Sequence, residues 1–109
     1  MINTEFFLKD EVIIGFSISG HAGYDIYGKD VACASVSSAV QLTSNAITEI
    51  LGISADVSVA PNRVMLMLPK NNGSLSYEKA LDFLKALKLH IELLADDYKQ
   101  NIRLTDVEV

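Results

Sequence analysis

The hydrophobic residues of this chain change period along its length, and that change limits the fold more than any other feature. Ile2, Thr4, Phe6 and Leu8 alternate with Asn3, Glu5, Phe7 and Lys9, the two-residue period of a strand. Lys9-Asp10-Glu11 can turn, and Val12 to Ile18 resumes with β-branched and aromatic residues, which predicts a hairpin. The period then lengthens. Ala32, Val36, Ala39, Val40, Thr43, Ala46, Ile47 and Ile50 recur at three- and four-residue steps. They form one buried stripe on a helix that starts at Val31, is capped by Asp30 and ends at Gly52. Ala55 to Ala60 and Arg63 to Leu68 flank a Pro61-Asn62 turn as two more strands. Ser74 or Ser76 caps a second helix with a stripe of Tyr77, Ala80, Leu81, Leu84, Leu87, Ile91 and Leu94. Ile102 and Leu104 mark a last strand.

The element order is therefore ββαββαβ. Tight turns make antiparallel neighbours, so the expected class is α+β: a five-stranded, largely antiparallel sheet with two helices packed on one face. The 109 residues make a single domain, 1–109. In regular strands Phe7, Ile13, Met65 and Met67 point away from Phe6, Val12, Ile14, Val64 and Leu66. No element remains to cover that second apolar face, which predicts a homodimer.

Composition excludes several function classes. Fourteen acidic against nine basic residues give a net charge of -5, which opposes direct nucleic-acid binding and favours a cationic partner. The single cysteine cannot form an intrachain disulfide, which predicts a reducing, cytoplasmic setting. Met1 to Glu5 contains no basic segment followed by an apolar run, so no signal peptide is expected. The low-charge stretch from Val31 to Ala46 is too polar and too short to span a membrane. With one cysteine and two histidines, strong metal ligands are scarce, and neither a metal nor another cofactor is expected.

Two residues can carry chemistry together. Cys33 is the third residue of the first helix if Asp30 caps it. Free backbone N–H groups at a helix start favour a thiolate and can hold an oxyanion. By position alone, Cys33 is better read as a small apolar residue filling space. His21 opens the stretch Gly20-His21-Ala22-Gly23-Tyr24-Asp25-Ile26-Tyr27-Gly28-Lys29, which has three glycines and no apolar period and reads as a loop. Such a loop can return an imidazole to the thiol, the pairing that activates a cysteine nucleophile. It can equally carry a solvated histidine. Asp30 can orient His21 or only cap the helix. Ser37, one turn beyond Cys33, can donate to a substrate or be merely small and polar. His90 reads as an edge-of-core residue between Leu87 and Leu94, and Asp96-Asp97 as solvated.

Ser19-Gly20-His21-Ala22 followed by Gly28-Lys29-Asp30-Val31-Ala32-Cys33-Ala34-Ser35-Val36-Ser37 resembles the ribosomal-processing cysteine protease family, Prp. The pattern is a Gly-His-Ala loop start, a short variable loop, then Gly-x-Asp-x-x-Cys-Ala-x-Val-Ser entering a helix. The likeness extends in length and element order over nearly the whole chain. Val31-Ala32 is less bulky than the usual aliphatic pair, and Ser35 replaces a common alanine. The resemblance implies a cysteine endopeptidase that removes the N-terminal extension of a bacterial large-subunit ribosomal protein, cutting after an aromatic pair. It implies Cys33 as nucleophile, His21 as its partner, and supporting positions at Asp30 and Ser37. It also implies a homodimer with a mobile loop between histidine and cysteine. On that reading Gly20, Ala22, Gly23, Tyr24, Ile26, Tyr27 and Gly28 form a substrate-binding lid. The rival is a non-catalytic, ribosome-associated or anion-binding module using the Gly20-Gly28 loop.

Overall fold

The computed structural model describes residues 1–20 and 27–109, with side chains for all of these except 27–30. In chain order the elements are β1 (Ile2–Lys9), β2 (Val12–Ser19), α1 (Tyr27–Asn45), β3 (Asp56–Ala60), β4 (Arg63–Met67), α2 (Leu75–Asp97) and β5 (Ile102–Glu108). The sheet order is β3-β4-β2-β1-β5. Three pairings are antiparallel, and β5 lies parallel to β1 with Ile2 opposite Ile102. This is the expected α+β class with a mixed sheet. The parallel pair follows from α2, which carries the chain back across the sheet before β5 begins.

The β1–β2 hairpin closes through a two-residue turn, with Lys9 opposite Val12. Asp10 and Glu11 take φ of 51° and 68°, the backbone of a type I′ turn that matches strand twist. Between Phe7 and Leu8 the register slips, so that Phe7 faces Gly15 but Leu8 faces Ile13. This bulge corrects the face assignment. One inserted residue reverses which side chains point inward. Ile13 therefore enters the core at 9 % exposure, while Val12 is exposed.

The helices cover one face. Phe6, Phe16, Leu66 and Ile102 from the sheet meet Val36 of α1, Ile47 just beyond its end, and Leu84, Leu87 and Ile91 of α2. The stripe of α2 is buried as its spacing predicts, and Ser74 is its cap, accepting from the Tyr77 N–H at 3.1 Å. The α1 stripe holds except at its end. There the helix widens into a π turn (Ala46–Ile50), the Leu51 N–H bonding the Ala46 carbonyl at 2.9 Å. The wider turn shifts the phase, and Ile50 is exposed while Ile47 stays fully buried. Gly52, at φ 66°, ends the helix as expected.

No described helix is long and apolar enough to cross a membrane. On the far face of the sheet Phe7, Met65 and Met67 are half-buried. Arg63 lies along this face, its Nε donating to Ser17 Oγ at 2.9 Å.

Candidate active site

The helix start differs from the sequence expectation in a way that changes the chemistry. α1 begins at Tyr27, four residues before Val31. Tyr27, Gly28 and Lys29 are thus the first helical residues rather than loop, and Asp30 lies within the helix rather than at its cap. Cys33 becomes the seventh residue of α1. Only the first four N–H groups of a helix lack an internal partner, and the terminal field fades within the first turn. The Cys33 amide is therefore not a free oxyanion donor, and a helix start is not what positions its sulfur.

Instead α1 places Cys33 on a defined stripe. At ~100° per residue, Cys33, Ser37, Val40, Gln41 and Ser44 fall within an arc of about 100°. Cys33 is a free thiol, half-buried and packed against the edge of the core. Ser37 is exposed one turn further on. The other four residues of that stripe form one wall of a groove of about 370 Å³. Its floor is apolar: Ile18 from β2, Val64 from β4, and Val57 and Val59 from β3. Arg63 and the Ala60-Pro61 turn close its rim.

The groove exists because two helices do not cover five strands. Helices packed side by side at ~10 Å shield about four strands spaced at ~4.8 Å. The strand left over is β3, exposed along its whole length. Its Val57 and Val59 face the helix side, opposite Leu66 and Val64, and stand 42 % and 75 % exposed. Within the wall, the Ser44 hydroxyl is buried without a hydrogen-bond partner among the described residues.

The far end of β2 delivers the second candidate. Ile18 and Ser19 line the groove, and Gly20 follows at φ 73° with its N–H on the Asn62 carbonyl at 3.2 Å. His21, Ala22, Gly23, Tyr24 and Ile26 lie outside the described residues, as do the side chains of Tyr27 and Asp30. The expected His21–Cys33 pairing, the lid and the role of Asp30 lie there with them. The described chain leaves β2 at one end of the groove and, within α1, carries Cys33 and Ser37 toward it. His90 is exposed rather than at the core edge, lining a separate hollow between the helices with Leu42 and Phe83. Among the described residues no three potential metal ligands cluster. The groove is the feature that sequence reasoning missed. Its only trace there is Val57 and Val59 in a strand with no helix to cover it.

Comparison with known proteins agrees with this fold. The family model described as cysteine protease Prp matches residues 1–103. The ribosomal processing cysteine protease Prp of Bacillus subtilis strain 168 is 26 % identical over 98 residues, covering 88 % of each chain. The crystal structure of an essential ribosomal processing protease Prp from S. aureus in complex with a substrate peptide superposes with a TM-score of 0.85 at 22 % identity, covering 98 % of this chain and 100 % of that one. A second S. aureus Prp structure, with a covalently linked product peptide, gives 0.83 at 23 % identity over 98 % and 100 %. At these identities the structural likeness establishes the fold.

Proposed function

The chain belongs to the cysteine protease Prp family, and from that premise we propose that it cleaves the N-terminal extension of a large-subunit ribosomal protein with Cys33 as nucleophile and His21 as general base and acid. The observation that carries this reading is the half-buried Cys33 thiol on the same face of α1 as a peptide-sized groove. His21 takes the thiol proton, and the sulfur bonds to the scissile carbonyl carbon. His21 returns the proton to the leaving amine as the C–N bond breaks, leaving a thioester. Water, deprotonated by His21, then hydrolyses the thioester and restores the thiol. On this reading Ser37, exposed one turn beyond Cys33, donates to the bound peptide, and Asp30 is retained as a supporting position. No metal or other cofactor is needed for any of these steps.

The acidic surface, with net charge -5, suits a cationic ribosomal protein better than RNA, and a free thiol as nucleophile suits a reducing cytoplasm. The rival anion-binding reading is weakened because Gly28 belongs to α1, which shortens the glycine loop it requires. The far sheet face with Phe7, Met65 and Met67 supports a homodimer. Sedimentation at micromolar concentration tests that assembly, and a monomer there counts against it.

The test of function is incubation with a peptide spanning the ribosomal extension, followed by mass analysis. The intact chain should yield a single cut after the aromatic pair. Cys33→Ala should bind the peptide and leave it whole, because a half-buried cysteine at a helix edge loses little volume. Turnover by Cys33→Ala would remove the proposed nucleophile.

A further inference from the structure

The apolar groove between α1 and β3 has no part in bond cleavage as described above, yet it begins one helical turn from Cys33. We infer that it reads apolar side chains of the bound peptide two to four positions away from the scissile bond, with Val64 and Val59 as the main specificity-determining residues. This rests on Cys33 being the nucleophile.

Distance along α1 sets the register. Ser37, Val40 and Ser44 lie four, seven and eleven residues beyond Cys33 in the helix, or ~6, ~10 and ~16 Å at 1.5 Å per residue. An extended peptide advances ~3.3 Å per residue. The groove thus begins about two residues from the scissile bond, is centred about three away and is exhausted by about five. A side chain adjacent to the cut falls short of it.

Chemistry sets the occupant. The floor of Ile18, Val57, Val59 and Val64 carries no charge, so it favours aliphatic or aromatic side chains and penalises a charged one. The α1 wall offers the exposed Ser37 and Gln41 side chains. Those are groups for peptide amides and carbonyls, as in other small-ligand sites where an apolar lining is paired with a few polar anchors. The volume of about 370 Å³ suits one or two side chains, not a folded segment. An extended peptide lying over a half-bare strand satisfies both surfaces at once.

The test is a peptide series in which each position from one to five residues from the cut is changed in turn to Ala, Asp or Lys, assayed on the intact chain and two variants. Val59 is 75 % exposed, so Val59→Asp should leave folding intact. It should lower kcat/KM for the apolar peptide at least roughly ten-fold and restore it for a peptide with Lys at position two, three or four. Val64→Phe fills the groove from below and should turn the preference there from large to small side chains. In both variants the rate of Cys33 alkylation by iodoacetamide should match the parent. Cleavage that is indifferent to Val59→Asp and to residues two to four would overturn the groove assignment while leaving Cys33 as nucleophile. Absence of cleavage in the parent chain itself would instead remove the function on which the assignment rests.

Discussion

Gly20→Ala tests how the fold holds the chain just before His21. Gly20 sits at φ 73°, where a side chain crowds the backbone at a cost of roughly 1–2 kcal/mol. A Cβ there would also lie 2.6 Å from the Met1 carbonyl oxygen and 3.3 Å from Asn3 Nδ2. The first contact is with backbone, so rotating a side chain cannot relieve it. The Gly20 N–H is held by the Asn62 carbonyl at 3.2 Å, and moving away forfeits that bond, worth about 1 kcal/mol. The sum is a loss of roughly 2–3 kcal/mol, less whatever Met1, just before β1, yields by shifting. A displacement of about 1 Å passed on to His21 is enough to lower kcat by about 10²-fold. Urea unfolding measures the first quantity and peptide cleavage the second. Gly20→Asn separates the causes, since asparagine tolerates positive φ but still brings a Cβ; it should recover part of the stability and little of the activity. Stability within about 0.5 kcal/mol of the parent, together with unchanged kcat/KM, would refute both the steric reasoning and the catalytic role proposed for His21.

Glu11 occupies φ 68° in the hairpin turn without a glycine's freedom, so Glu11→Gly should raise stability by about 1 kcal/mol, read as a higher urea midpoint at constant slope. Gly15→Ala should cost roughly 1–3 kcal/mol, because the new Cβ would sit 2.4 Å from the Leu66 carbonyl oxygen in the neighbouring strand; the same urea curves check it. Burial pushes the Tyr77 hydroxyl above its ordinary pKa of 10.0. The unfolded chain then ionises first, so this residue's contribution is complete below about pH 10 and lost as pH rises further. Tyr77→Phe should flatten the alkaline fall in stability measured by circular dichroism.

The seven regular elements were legible because each apolar stripe keeps one period over most of its length, and Gly52 and Ser74 mark their helix ends by chemistry any reader of the sequence can apply. The bulge at Phe7 and Leu8 was not. Apolar residues occupy Phe7, Leu8, Ile13 and Ile14 alike, so their alternation cannot say where an extra residue is absorbed. The start of α1 was hidden by Gly28, whose low helix propensity is outweighed in the folded chain. Cys33 and His21 stand out in the sequence only as candidates, by their spacing and the family pattern, and the pairing proposed for them falls outside the described residues. The groove was not, since it arises from how many strands two helices can shelter, a property of packing rather than of any segment.

The pairing of β1 with β5 joins nearly the first residue to nearly the last, the Ile2 N–H meeting the Asn101 carbonyl at 2.7 Å. Contacts of such large sequence separation form late, because the loop between them must close before they are rewarded. In chain order β1 comes well before β5 and must wait for it. Until then its edge is bare beside the hairpin, and the sheet that orders β2 and the approach to His21 is incomplete. The β1 edge is therefore the part of the sheet that stays open longest to a wrong strand while the fold assembles.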